Sequence, residues 1–340
     1  MPRLKYPNII KLYLCRFCIY FNLEFVNMDQ QYYYYKAFGL LFKSCIEHPE
    51  FIAEPFASDP DCLITFGSVP IKLTKPDKTG GVYQSKGQQF LLKISHVGRY
   101  LIENGDTITI EIIPGATTRD IVVFLWASSI AVLLHQRGKF IVHGSSVMKG
   151  EHAVIFSGPS GSGKSTIASA FATHKDSLII SDDISAISVD STGTPVVLPG
   201  YPLMKLWRDS SDTLGLEWDE ERLIREKVNK MMVNISDRFV QHSVPLRQFY
   251  LLSYKSNGPA VITEIYGYKK LELLTGKIFR KNYLKKGESS TLDVFTEASK
   301  ILPHVRICTL ERMHGITHLD ETVAMIEQDL MHSGVMNPVR

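Results

Sequence analysis

Residues 153–166 read Ala-Val-Ile-Phe-Ser-Gly-Pro-Ser-Gly-Ser-Gly-Lys-Ser-Thr. Ala153 to Phe156 form an apolar run that predicts a buried strand. Gly158-Pro159-Ser160-Gly161-Ser162-Gly163-Lys164-Ser165 fits G-x-x-x-x-G-K-[ST] at every fixed position, and Thr166 to Ala172 predicts a helix. A strand, a glycine loop and a helix in that order define a phosphate site. Glycines let successive N–H groups point into one concavity. The helix start adds unsatisfied N–H groups and the positive end of its dipole. Gly158, Ser160, Gly161, Ser162, Gly163, Lys164, Ser165 and Thr166 are the candidate nucleotide-binding residues. Lys164 suits the β- and γ-phosphates, and the Ser165 hydroxyl suits Mg²⁺. The cofactors expected are therefore ATP and Mg²⁺.

The rest of the composition sets bounds. The chain has 340 residues, 44% of them hydrophobic, enough for two ordinary domains with a real core. Its net charge is +3 and it lacks a dense basic run, so a nucleic-acid partner is not expected. Five scattered cysteines, an odd number, suit reduced thiols in a cytoplasmic protein. Cys15 and Cys18 have metal or redox spacing, but no second pair completes a site. Residues 9–26 are apolar yet interrupted by Lys11, Arg16 and Glu24, and no small-residue cleavage site follows. No membrane partner is expected. Ordinary sequence begins near Met28, so residues 1–27 are expected to be a mis-assigned start or a disordered segment.

From Tyr32 to Pro114, short apolar runs alternate with Gly, Pro, Asp and Asn. Asn104-Gly105-Asp106 marks a hairpin before the alternating Thr107–Ile112. This predicts a small, mostly antiparallel domain over residues 28–116, with Tyr32–Tyr35 in an edge strand. A buried helix is predicted over 118–136, capped by Thr117 or Thr118 with Asp120 in its first turn. Its middle, from Ile121 to Leu134, is too short an apolar run to span a bilayer. Phe140–Val147 then reads as a strand and a glycine-serine turn carrying His143, next to the glycine-loop strand. Downstream, Leu178-Ile179-Ile180-Ser181-Asp182-Asp183 is an apolar strand ending in two acids. On an extended strand the two would face opposite ways. One could then serve Mg²⁺ and the other take the proton of an attacking hydroxyl.

Val142-His143-Gly144-Ser145-Ser146-Val147, the Gly158–Ser165 loop and Ser181-Asp182-Asp183 together resemble the catalytic domain of HPr kinase/phosphorylase, a fold related to phosphoenolpyruvate carboxykinase. The resemblance covers residues 138–200 best. It implies an α/β fold, with a P-loop HPr-kinase-like catalytic domain over 117–334 after the β-rich N-terminal domain. It also implies ATP-Mg²⁺ phosphorylation of a serine on a peptide or protein. Carried over by residue, His143 lies beside the transferred phosphate, Lys164 and Ser165 serve phosphate and metal, Asp182 is the general base and Asp183 the metal-side acid.

The chain departs from that family after the acids. Leu198-Pro199-Gly200-Tyr201-Pro202-Leu203-Met204-Lys205-Leu206-Trp207-Arg208 replaces the stretch that contacts HPr. The layout is more similar to HPr-kinase-like kinases of lasso-peptide clusters, through Tyr35–Leu40 and the Pro-Gly-Tyr-Pro turn. Those kinases phosphorylate the C-terminal serine of a precursor peptide. An HPr-type or small-molecule hydroxyl kinase, and an ATP-binding regulatory module without transfer chemistry, are the alternatives. Homo-oligomer formation is compatible with the sequence.

Later segments are expected to be supporting structure. A charged helix is predicted over Glu217–Asn229 with Lys230 on its solvated face. Helices are predicted over Tyr266–Tyr283, Thr291–Leu302 and Leu319–Met331. Strands are predicted over Gln248–Tyr254, Pro259–Ile265 and Val305–Leu310. Lys205, Arg208, Arg306 and Arg312 are candidate anion binders.

Overall fold

A computed structural model describes residues 31–55, 59–173, 177–213, 216–220, 223–225, 228–283, 288–313, 315 and 318–334. The expectations for residues 1–27, and for Cys15 and Cys18, lie outside the described residues. The fold is mixed α/β, built on two eight-stranded sheets and a three-stranded one.

The first sheet uses β1 (Tyr33–Ala37), β2 (Leu40–Ser44), β3 (Cys62–Phe66), β4 (Lys78–Thr79), β5 (Tyr83–Lys86), β6 (Gln89–Ile94), β7 (Gly98–Glu103) and β8 (Thr107–Ile112). Their order is β1-β2-β3-β8-β7-β6-β5-β4, so the tyrosine-rich β1 is an edge strand. Most pairings are antiparallel, while β3 runs parallel to both neighbours. Asn104 and Gly105 both take positive φ and close the β7–β8 hairpin. One face of this sheet packs on the stretch Thr118–Gln136.

That stretch is helical in two pieces, α1 (Thr118–Phe124) and α2 (Ile130–Gln136), joined by a π-helical turn at Leu125–Ser129. Thr117 caps α1, and Asp120 completes a capping box. Against the expectation that it is too short, Thr118–Gln136 is, among the described residues, the one helical stretch long and apolar enough to cross a membrane. Here Ile121, Leu125, Ile130, Leu133 and Leu134 are spent on the core shared with the first sheet. Trp126 donates to buried His48 at 3.0 Å, and Tyr100 donates to the Ile121 carbonyl.

The second sheet contains β9 (Phe140–Lys149), β10 (His152–Ser157), β11 (Ser177–Ser181), β12 (Ile184–Val189), β13 (Pro195–Leu198), β17 (Val244–Lys255), β18 (Val261–Glu264) and β19 (Arg306–Met313). Strands β10, β17 and β19 run parallel side by side. Their side chains, such as Ile155, Phe156, Phe249 and Tyr250, are buried, as expected of parallel strands covered on both faces. One face is covered by α3 (Lys164–Ala172) and the C-terminal helix Leu319–His332, the other by the helices Tyr268–Gly276 and Glu288–Ile301. Strand β9 changes partners midway: Phe140–His143 pair with β12, and Gly144–Lys149 pair with β10. A Cβ on Gly144 would sit 2.8 Å from the Phe156 carbonyl oxygen, so only glycine allows that crossing.

Three expectations are corrected here. His143 lies inside β9, not in a glycine-serine turn, because the backbone keeps its ladder bonds on both sides of Gly144. The described residues of Glu217–Asn229 do not form the expected helix. Leu223–Arg225 (β15) and Val228–Asn234 (β16) form a hairpin that pairs with β14 (Leu203–Trp207) as the third sheet. Cross-strand pairing of Trp207 with Lys230 and of Leu206 with Met231 outweighs the charge pattern that suggested a helix. The helix expected over Tyr266–Tyr283 stops at Gly276, and a 3₁₀ turn at Lys281–Tyr283 follows.

Candidate active site

The glycine loop lies at the carboxyl ends of the parallel strands β10, β17 and β19, where open α/β sheets bind ligands. Gly161 and Gly163 take φ of 83° and 87°, a region costly for other residues. A Cβ on Gly158 would lie 2.7 Å from the Leu252 carbonyl oxygen, so the loop's first glycine is fixed by backbone approach. Gly163 caps α3, and Ile167 N–H bonds the Gly163 carbonyl at 2.9 Å. The early amides of α3 are therefore presented to the loop's concavity.

Lys164 is buried and folds back over the loop, donating to the Gly158 and Pro159 carbonyls at 3.2 and 2.9 Å. Burial lowers its pKa from the ordinary lysine value, against the opposing pull of Asp183 and Asp182. Thr166 shares a hydrogen bond with Ser210 at 2.8 Å, which ties the start of α3 to the short helix Arg208–Thr213 after β14.

The two acids do not sit on an extended strand. Strand β11 ends at Ser181, and Asp183 adopts a left-handed φ of 63°. That turn lets both carboxylates serve one site. Asp182 accepts three hydrogen bonds: Ser145 Oγ at 2.6 Å and Ser165 Oγ at 2.8 Å on Oδ1, and Lys205 N–H at 2.9 Å on Oδ2. Asp183 Oδ2 instead meets Lys205 Nζ at 2.6 Å. Burial alone would push the Asp183 carboxyl up, but Lys205 and Lys230 hold it well below the usual carboxylate range. Burial alone would likewise lower Lys205, and Asp183 holds it above the usual lysine range.

His143 Nδ1 lies 3.0 Å from the Asp183 carbonyl oxygen, and its ring stacks on Phe279. A carbonyl only accepts, so Nδ1 carries the hydrogen and Nε2 the lone pair. Burial, then Lys164, lowers the His143 pKa, which keeps the ring neutral at pH 7.

His143, Lys164, Ser165 and Asp183 line a cleft of about 170 Å³ with Lys205, Trp207, Lys230, Tyr254 and Arg312, and Asp182 lies behind it on Ser165. Typical whole-ligand clefts are roughly 300–1,000 Å³, so this one matches the phosphate end of a nucleotide rather than all of it.

No family model matches the sequence, and no curated protein matches it. Among solved structures, the chain is similar to the HPr(Ser) kinase/phosphatase from Coxiella burnetii, with 9% identity and a TM-score of 0.30, the match covering 56% of this chain and 98% of that one. The roles of the site residues are accordingly taken from their own geometry.

That geometry brings together His143, the Gly158–Thr166 loop, Asp182 and Asp183. Ser165 donates to Asp182 and not to Asp183, the acid that the resemblance places on the metal side. Of the candidate anion binders, Lys205 and Arg312 face the cleft. Arg306 is occupied by Glu264 and Asp329, and Arg208 stacks over Trp218. Three contributors escaped the sequence reading. Ser145 hides in an apolar strand. Lys230 was assigned to the wrong element. Tyr254 reaches the loop from β17, where its hydroxyl donates to the Gly161 carbonyl.

The residues fit ATP with Mg²⁺. Gly161 and Gly163 in left-handed conformations shape the loop backbone, and one hydroxyl and one carboxylate, Ser165 and Asp182, stand together at the start of α3. Mg²⁺ commonly takes only one or two carboxylates, with substrate phosphates and waters completing its octahedron.

Proposed function

We propose that this protein is an ATP-dependent kinase that transfers the γ-phosphoryl group to a serine hydroxyl of a peptide or protein. The observation that carries the reading is the convergence of Ser165, Asp182 and Asp183 at the mouth of the glycine loop. The Ser165 hydroxyl bonded to Asp182, with Asp183 in the cleft, supports a metal position at the first acid and a proton acceptor at the second.

In this reading the loop amides and Lys164 hold the phosphates. Ser165 and Asp182 hold Mg²⁺, which when bound offsets charge on the phosphate oxygens. Both Asp182 oxygens are already engaged, Oδ1 by Ser145 and Ser165 and Oδ2 by the Lys205 N–H. Asp183, in the cleft, is left to orient the acceptor hydroxyl and, with its basicity lowered by Lys205, to take the proton only as the bond to phosphorus forms. The acceptor oxygen attacks the γ-phosphorus, the bond from phosphorus to the β–γ bridging oxygen breaks, and ADP leaves. Lys205 keeps Asp183 ionised before the hydroxyl arrives. His143 stays neutral and presents Nε2 as an acceptor.

The finer reading, a C-terminal serine of a lasso precursor peptide, rests on the resemblance of Tyr35–Leu40 and Pro199–Pro202 to the lasso-cluster kinases.

Single-turnover transfer in Asp182→Asn and Asp183→Asn tests the roles. Asp183→Asn is expected to bind ATP-Mg²⁺ normally and transfer roughly 10²–10⁴-fold more slowly. Asp182→Asn is expected to need more Mg²⁺. Exchanged phenotypes would exchange the roles, and full transfer in both would overturn the kinase reading.

A further inference from the structure

Arg312, at the end of β19, is 6% exposed, yet no carboxylate pairs with it among the described residues. Its guanidinium donates only to carbonyls: Ser162 at 3.1 Å, Gly315 at 2.7 Å and Met313 at 3.3 Å. Its buried Nε has no hydrogen-bond partner among the described residues. One face of the guanidinium lies 5.3 Å from the centre of the Tyr254 ring. Tyr254 in turn holds the Gly161 carbonyl. A buried cation is costly unless an anion meets it, and carbonyl dipoles compensate only part of that cost.

Lys164 is in the same condition. It too is buried, and its hydrogen bonds also go only to loop carbonyls. The two cations grip one loop from two sides, Lys164 through Gly158 and Pro159, Arg312 through Ser162. A Cβ on Gly163 would come within 2.3 Å of Arg312 Nη2, so the arginine lies directly against the last glycine of the loop. Both side chains line the same cleft. Arg306, six residues earlier on β19, is the internal contrast: it is satisfied by Glu264 and Asp329 and takes no part in the cleft.

We propose that Arg312 is a second phosphate-binding cation of this loop, contributing its planar fork to the polyphosphate of the nucleotide. The inference rests on the ATP reading above and adds a residue to it that lies far along the chain from the loop. The fork geometry suits phosphate oxygens better than an ammonium does, and hydrogen bonds to a charged partner are the strong ones. The carbonyl contacts hold the fork in place before the ligand arrives.

The competing role is a brace that only shapes the loop. Binding of inorganic tripolyphosphate and of ATP, each with Mg²⁺, to wild type, Arg312→Gln and Arg312→Lys separates the two, with melting of each protein checked without ligand. A phosphate contact predicts that Arg312→Gln loses about ten- to hundred-fold in affinity for both ligands. It also predicts that Arg312→Lys, which keeps the charge, loses only a few-fold. A brace needs the fork to reach Ser162 and Gly315 together, so equal losses in both variants overturn the proposal. A loss for ATP without one for tripolyphosphate also overturns it, as does unchanged binding by Arg312→Gln. If Arg312→Gln melts before ligand is added, Arg312→Lys decides: retention within a few-fold supports the contact and a loss beyond ten-fold refutes it. A wild type that binds neither ligand would remove the ATP reading itself.

Discussion

Lys205 holds both acids of the site, Asp182 through its backbone N–H at 2.9 Å and Asp183 through its ammonium at 2.6 Å. The Lys205 and Asp183 side chains are 13% and 19% exposed. Removing one member of a largely buried pair strands the other charge. Lys205→Met is expected to destabilise the fold by about 2–4 kcal/mol while leaving the backbone bond to Asp182 in place. Denaturant unfolding of the variant measures this, and a change under about 0.5 kcal/mol would show that the pair is dispensable.

Ser145 and Ser165 share Asp182 Oδ1, so neither is idle. Ser165→Ala is expected to raise the Mg²⁺ concentration needed for half-maximal nucleotide binding by roughly ten-fold, the scale of one lost metal-side contact. Ser145→Ala removes a positioning bond and is expected to shift the same midpoint in the same direction by less. Nucleotide titrations at several Mg²⁺ concentrations read both effects. Equal Mg²⁺ midpoints in wild type and Ser165→Ala would place the metal elsewhere.

How much of this was legible beforehand differs by element. The glycine loop was, because strand, loop and helix are contiguous and each glycine answers a local demand. The edge strand expected at Tyr32–Tyr35 followed from its run of aromatics, and the β7–β8 hairpin from the Asn-Gly turn and the alternation after it, both local signals. The pairing of Lys205 with Asp183 was not, because it depends on a left-handed turn at a non-glycine residue, Asp183, that carries no sequence signal. Lys230 was misread because charges at helical spacing looked like a solvated face. Only tertiary pairing of β16 with β14 brings Lys230 over Trp207, 5.3 Å from the ring centre. Arg312 lies 150 residues from Ser162, a distance that no local pattern spans.

Gly163 sets a packing limit that can be tested alone. A Cβ there would strike Arg312 Nη2 at 2.3 Å, and the residue would have to hold a φ of 87°. Gly163→Ala is expected to cost about 1–3 kcal/mol of stability and to abolish tight ATP binding by reshaping the loop. Calorimetric unfolding and nucleotide titration check the two halves. Wild-type affinity in this variant would mean that the loop conformation is not the binding conformation.

His48 gives the fold a pH dependence away from the site. It is buried, accepts from Trp126 Nε1 at 3.0 Å, and burial pushes its pKa down to about 4. An unfolded histidine takes up a proton near pH 6.5, so the unfolded state binds more protons than the folded one between those values. Stability from this residue is present above pH 6.5 and falls as the pH drops toward 4, by roughly 3 kcal/mol at about 1.4 kcal/mol per unit. His48→Gln is expected to flatten that slope. Unfolding free energies measured from pH 7 to pH 4 decide it, and identical slopes in both proteins would contradict the assignment.

Phosphoryl transfer to a hydroxyl at the glycine loop is read out by incubating the full chain with γ-labelled ATP, Mg²⁺ and a library of serine-containing peptides with free C-termini, beside Lys164→Ala. Labelled phosphoserine is expected with the wild type, and a loss of several orders of magnitude with Lys164→Ala, whose fold should survive. Equal labelling by both proteins would contradict it. So would tight ATP-Mg²⁺ binding by the wild type with no label passed to peptide or small-molecule hydroxyls.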